Sequence, residues 1–168
     1  MESTSATTAT ATTRARGALV SGNPARTRAI GRALGRRAEA GDVLALSGEL
    51  GAGKTQLAKG VAEGLKVNGV VNSPTFVLMN EHPGRLRLYH IDAYRLGDPE
   101  EAWDAGLLDE RQADGVTVIE WADRLAGWLP ADRIEIHLVA GDGPSDRILR
   151  WQVHGASHEG LAEVLVGS

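Results

Sequence analysis

An α/β sandwich on a mixed sheet is the fold class this sequence predicts, and three observations carry it. Apolar runs of strand length alternate with segments of helical period, two pairs of strand-like runs are joined by short Pro/Gly turns, and one apolar run empties into a glycine-rich loop that opens a helix. The 168 residues suffice for one hydrophobic core, and no repeat or internal linker divides them.

Residues 1–16, almost all Ser, Thr and Ala, offer nothing to bury and are expected to form a disordered tail, leaving 17–168 as one domain. The tail lacks the apolar stretch of a secretory signal. Asn23 or Ser21 is placed to cap a helix entered at Pro24, with Ile30 and Leu34 facing inward and Arg28, Arg32 and Arg36 on another face. Val43–Leu46 reads as a short buried strand. Beyond the glycine loop, Leu57, Val61 and Leu65 recur at helical spacing. "TFVLMNEH" and "RLRLYHID" form a hairpin around "PG", and Asp98 caps a helix over "PEEAWDAGLLDE". "VTVIEW" is a continuous apolar run, as a central strand requires. A short helix over "ADRLAGWL", a second hairpin across "GDGPS" and a C-terminal helix over "SHEGLAEVLV" complete the order.

The chemistry concentrates in "SGELGAGKTQLAKG". Gly48, four residues (Glu49, Leu50, Gly51, Ala52), then Gly53, Lys54 and Thr55 satisfy the phosphate-loop spacing G-x-x-x-x-G-K-[ST], with Gln56 following. Glycines let successive N–H groups converge on one concavity, and the helix that opens there turns its positive end toward the same anion. Lys54 would reach the β- and γ-phosphates, and the Thr55 hydroxyl would meet Mg²⁺. The loop is expected to hold a nucleoside triphosphate within a three-layer, P-loop NTPase-like sandwich. Glu49 is repelled by phosphate unless it turns to solvent or meets a cation, and both readings stand.

Such a loop needs an acid at a neighbouring strand end. Asp92 and Glu120 both qualify, either as the Mg²⁺ partner with the other as base or water-orienting group, and periodicity does not rank them. His90 shares a strand face with Asp92, so it orients that carboxylate or is a core histidine. In "NSPTF", Thr75 either touches Mg²⁺ or the γ-phosphate as a switch residue or sits in a turn made by Asn72, Ser73 and Pro74.

Taken in order, "GELGAGKTQLAKG", "SPTF", "HIDAYRL" and "EW" resemble the TsaE (YjeE) family of small P-loop ATPases required for threonylcarbamoyladenosine in tRNA. The resemblance spans about Gly41 to Leu138. It implies ATP on the loop from Gly48 to Thr55, Mg²⁺ held by Thr55 and Asp92, a switch-like role for Ser73 and Thr75, and Glu120 near the γ-phosphate with Trp121 beside it. It implies TsaB and TsaD as partners, with tRNA reached through that complex and ATP hydrolysis resetting it. Glu49 stands where family members often carry aspartate, and the tail has no counterpart in the pattern.

The remaining signals narrow the alternatives. A net charge of −4 excludes a generic polyanion surface, which fits partners that supply the basic face. The arginine stripe either contributes to tRNA contact or solvates a helix face. No cysteine is present, in keeping with the cytoplasm, and no window is apolar enough for a membrane span. A small-molecule kinase and a non-hydrolysing nucleotide-dependent scaffold share the loop and acids. A guanine-specific switch is excluded by the lack of an Asn-Lys-x-Asp motif. Arg95 and Arg124 are the candidate catalytic arginines, neither clearly placed, so hydrolysis by the isolated chain is expected to be feeble.

Overall fold

The computed structural model describes residues 13–49, 51–69, 71, 79–96, 98–104, 106 and 113–168. Ser73 and Thr75 lie outside the described residues, as does Leu50. Seven strands form one sheet: β1 (Thr13–Ser21), β2 (Val43–Gly48), β3 (Met79–His82), β4 (Arg87–Asp92), β5 (Gly115–Glu120), β6 (Arg133–Ala140) and β7 (Arg147–His154). The helices are α1 (Pro24–Arg37), α2 (Lys54–Gly64), α3 (Pro99–Asp104) and α4 (Glu159–Val166).

The strand order is β1-β7-β6-β2-β5-β4-β3. Four parallel strands, β6, β2, β5 and β4, make the centre, and antiparallel neighbours close it at β7 and at β3. The expected mixed sheet with two hairpins is therefore the fold. The continuous apolar runs of β2 and β5 follow from burial on both faces. On one face Ile30, Leu34, Leu57, Val61 and Leu161 join Leu44, Leu46, Val118 and Ile136 in the main core. On the other, Ala45, Ile91 and Ile119 pack beneath Leu96, Ala122 and Leu125.

Three expectations are corrected. Residues 13–16, expected in the tail, instead open β1, an edge strand on β7. The helix expected over "ADRLAGWL" is two 3-10 turns, Ala122–Arg124 and Ala126–Trp128. The arginine stripe is partly committed, since Arg28 and Arg32 pair with Glu63 of α2 at 2.8 and 3.4 Å.

Caps fall where the residue types place them. Asn23 Oδ1 accepts from Arg26 N at 2.8 Å, and Asp98 Oδ1 accepts from Glu100 N at 3.0 Å. Arg85, from the β3–β4 turn, donates to Gly35 O and Ala38 O at 2.7 and 2.9 Å, satisfying the C-terminal carbonyls of α1.

Helices α1 and α2 meet backbone to backbone. A Cβ on Gly31 would lie 2.3 Å from Leu57 O, and one on Gly35 2.2 Å from Val61 O. In return, a Cβ on Gly60 would lie 2.1 Å from Arg28 O, and one on Gly64 2.3 Å from Arg32 O. Two glycines four apart on each helix interlock, and α2 is thereby seated on the sheet with the loop at its start.

The Tyr89 hydroxyl donates to Asp114 Oδ1 at 2.6 Å, and this bond raises its pKa to about 12. The folded value exceeds the unfolded value near 10, so this contribution is complete below pH 10 and lost as pH rises toward 12. In a Tyr94→Phe background, the remaining phenolate absorbance is expected to develop near pH 12. Tyr89→Phe should lower stability by about 1–2 kcal/mol in denaturant melts at pH 8. Phenolate formation near pH 10 would refute the bond.

Candidate functional site

β2 delivers the glycine loop to the C-terminal edge of the sheet, between β5 and β6. Gly48 has φ 139°, and a Cβ there would lie 2.4 Å from Leu138 O, so only glycine fits between the loop and β6. Gly53, at φ 106°, turns the chain into α2, whose first residues are Lys54 and Thr55.

Lys54 is 4% exposed. Its Nζ donates to Gly48 O at 2.6 Å and Glu49 O at 2.7 Å and lies 4.0 Å from the centre of the Trp121 ring. Burial pushes its pKa below the ordinary lysine value, against the attraction of Glu120, Asp123 and Asp92. The ammonium is thus held over the loop. Glu49 is exposed, in keeping with the solvated reading.

The two strand-end acids are neighbours, since Asp92 and Glu120 are register partners on parallel β4 and β5. They are not equivalent. Glu120 is 2% exposed, and its Oε1 accepts from Thr55 Oγ1 at 2.9 Å. Its Oε2 meets His90 Nε2 at 2.5 Å. Asp92 is half-buried, and its Oδ1 accepts from Tyr94 N at 2.9 Å. Desolvation raises the pKa of Asp92, offset by the Tyr94 amide and reinforced by Glu120. The resemblance couples Thr55 with Asp92, whereas the geometry couples Thr55 with Glu120. Likewise His90 serves Glu120, across the strand pair, and not Asp92 along its own strand.

These groups line a cleft of about 360 Å³ that runs from Gly51 and Gly53 past Thr55 and Gln56 to Asp92 and Glu120. A second cleft of about 530 Å³ adjoins it, sharing Gly51 and Trp121, and is lined by Glu49, Ala52, Asp123, His137, Val139 and Arg147. Arg147 Nη2 donates to Gly51 O at 3.3 Å, which ties the β6–β7 hairpin to the loop. Spacing alone missed Arg147 and His137, because both arrive from the second hairpin. Trp121 stands in the left-handed region (φ 60°, ψ 40°) directly after Glu120. Its ring packs on Tyr94 with centroids 4.8 Å apart, and Arg124 lies over both, 5.3 Å from Tyr94 and 6.0 Å from Trp121.

The donor set decides what the narrower cleft suits. A hydroxyl and two carboxylates are hard oxygen ligands, fit for Mg²⁺ rather than a soft metal. Among the described residues no group of three or more His, Asp or Glu suffices to hold a metal alone.

Strand, glycine loop, helix and a neighbouring strand-end acid define an α/β protein of the P-loop NTPase-like class. The family model described as "Threonylcarbamoyl adenosine biosynthesis protein TsaE" matches residues 21–148, and the chain belongs to the TsaE family, which serves tRNA threonylcarbamoyladenosine biosynthesis. The TsaE protein of Bacillus subtilis (strain 168) is 42% identical over 144 residues, which is 85% of this chain and 89% of the relative. That of Mycobacterium leprae (strain TN) is 44% identical over 133 residues, 74% of this chain and 83% of the relative. The crystal structure of Bacillus subtilis YdiB superposes with a TM-score of 0.76 at 35% identity, covering 92% of this chain and 95% of that one.

Proposed function

We propose that the chain is an ATP hydrolase that works with Mg²⁺, in the cytoplasm, alongside TsaB- and TsaD-like partners, and that hydrolysis resets the assembly that modifies the adenosine next to the tRNA anticodon. The observation that carries the reading is the convergence of Lys54, Thr55 and Glu120 on one cleft at the mouth of the glycine loop. Family membership adds the pathway.

The loop amides from Gly48 to Thr55 and the start of α2 bind the phosphates, and Lys54 exchanges its loop carbonyls for phosphate oxygens. Mg²⁺ supplies charge neutralisation across the phosphates; Thr55 and Glu120 would hold it. Asp92, one strand over, is placed to orient water. Ser73 and Thr75 remain part of the proposal as switch residues. The wider cleft beside Arg147 offers room for the nucleoside. Arg95 and Arg124 are both exposed, and Arg124 lies over the Tyr94 and Trp121 rings; a catalytic arginine or other completing group is supplied by a partner. The tRNA is reached through the partners. No helix among the described residues is long and apolar enough to cross a membrane.

The decisive experiment depletes the protein from its cells and measures threonylcarbamoyladenosine in bulk tRNA. Wild type is expected to restore the nucleoside and Lys54→Ala to fail. Normal modification after full depletion refutes the proposal. In vitro, ATP turnover by the isolated chain should be well below one per second and rise at least tenfold with the partners. Rapid turnover alone would remove the need for a completing group.

A further inference from the structure

We propose that His90 is a positioning residue for Mg·nucleotide binding: it fixes one oxygen of Glu120 so that the other faces Thr55. The proposal rests on the Mg·ATP reading above and concerns which of this chain's groups make the cation site work.

Glu120 and His90 are both sealed from solvent, at 2% and 1% exposure. A carboxylate in such surroundings must be hydrogen-bonded, and each of its oxygens meets a named side chain. Oε2 meets His90 Nε2 at 2.5 Å, and Oε1 accepts from Thr55 Oγ1 at 2.9 Å. With Glu120 ionised, a carboxylate only accepts, so the imidazole donates from Nε2. Its other nitrogen, Nδ1, meets no hydrogen-bond partner among the described residues.

The placement of His90 shows what the contact does. His90 sits opposite Val118 in the β4–β5 register, two residues behind the Asp92–Glu120 pair, so it holds Glu120 from beneath the sheet edge. If Thr55 and Glu120 held a cation, their mutual hydrogen bond would give way, and His90 would be a contact that still fixes the carboxylate. Without it, the side chain gains rotameric freedom, which would weaken a metal contact. A core histidine with only a packing role would affect folding but not the cation increment.

The test measures ADP affinity by calorimetry, once with Mg²⁺ and once with EDTA, for wild type, His90→Leu, His90→Gln and Glu120→Gln. The glutamine amide can donate from near the Nε2 position. His90→Leu is expected to match wild type in EDTA within about twofold and to lose roughly tenfold or more of the gain from Mg²⁺. His90→Gln should recover most of that gain, and His90→Leu should add nothing in the Glu120→Gln background. In turnover, the Mg²⁺ concentration for half-maximal rate should rise while KM at saturating Mg²⁺ stays put. A full Mg²⁺ increment in His90→Leu overturns the proposal, as does His90→Gln behaving like His90→Leu. If His90→Leu does not fold, the imidazole ¹⁵N signals of the unaltered chain decide: the His90 Nε2 resonance must shift when Mg²⁺ joins bound ADP, and a fixed resonance overturns the proposal. Wild type that binds ADP with no Mg²⁺ effect overturns the metal reading and this inference together. Loss of the increment in His90→Leu alone supports both.

Discussion

Lys54→Ala is expected to abolish nucleotide binding while leaving the fold intact. The side chain is nearly sealed, and its depressed pKa shows that housing the ammonium opposes folding at neutral pH. Two carbonyl contacts and the Trp121 ring offset that penalty in the ligand-free chain. Removal of the side chain takes away penalty and compensation together, so stability should change by about 1 kcal/mol, or a melting shift of roughly 2–4 °C. Binding has no such cancellation. Two charge-assisted contacts to phosphate are worth about 3 kcal/mol or more, so the dissociation constant for Mg·ADP should rise at least roughly a hundredfold. Calorimetry paired with a thermal melt reads both quantities. The Trp121 indole gives a third readout, because phosphate draws the cation from its face: wild-type fluorescence should change on Mg·ADP addition, and the change should vanish in Trp121→Phe. Wild-type affinity in Lys54→Ala would show that the loop amides alone hold the phosphates.

The loop was legible because its chemistry is local. Gly48, Gly53, Lys54 and Thr55 act through backbone angles and a helix start that spacing encodes directly, and the apolar runs of β2 and β5 announce strands buried on both faces. Relations between strands were not legible. Spacing places His90 on the face of Asp92, but the contact it makes crosses to Glu120, and only the parallel register of β4 and β5 brings that carboxylate within reach. The same limit hid which of the two strand-end carboxylates the Thr55 hydroxyl meets. Arg147 reaches the loop from almost a hundred residues away in sequence, through a hairpin whose docking no local pattern encodes. β1 was hidden for a different reason: an edge strand with alternating arginines on a Ser/Thr/Ala background carries little apolar signal, and its partner β7 supplies the order. Trp121 adopts a left-handed backbone that its residue type disfavours, so the turn after β5 is set by the packing of Tyr94 and Lys54 around the ring.

Gly60→Ala should be strongly destabilising for a change of a single methyl group. Helical periodicity marks Leu57, Val61 and Leu65 as the inward face of α2, yet the glycines set how near α1 can come. A Cβ on Gly60 would lie 2.1 Å from Arg28 O, 2.9 Å from Arg32 N and 2.9 Å from Gly31 Cα, all backbone atoms that no side-chain rotation can move aside. The helices must separate by more than an ångström, which loosens the packing of Ile30, Leu34, Leu57 and Val61 at once. Overpacking of this kind costs about 3 kcal/mol, against roughly 1 kcal/mol gained from the better helix propensity of alanine. A net loss of about 2 kcal/mol lowers the melting temperature by roughly 4–8 °C. Gly31→Ala demands the same separation, since its Cβ would meet Leu57 O and the Gly60 backbone, so the double variant should lose distinctly less than the sum of the two. Gly127→Ala is the control: no atom lies within 4 Å of its added carbon and its φ is not positive, and its melting point should hardly move. The displacement also has a functional reading, because α2 begins at Lys54 and Thr55. If α1 yields, the loop stays seated and Mg·ADP affinity survives the stability loss; if α2 yields, Thr55 withdraws from Glu120 and affinity falls with it. The contacts favour a yielding α1, since α2 is fixed at its start by the loop and by Glu120 while α1 is exposed on its outer face. Near-wild-type affinity in a clearly destabilised Gly60→Ala is therefore the expected result, and an unchanged melting temperature would show that the close approach of the two helices does not contribute to stability.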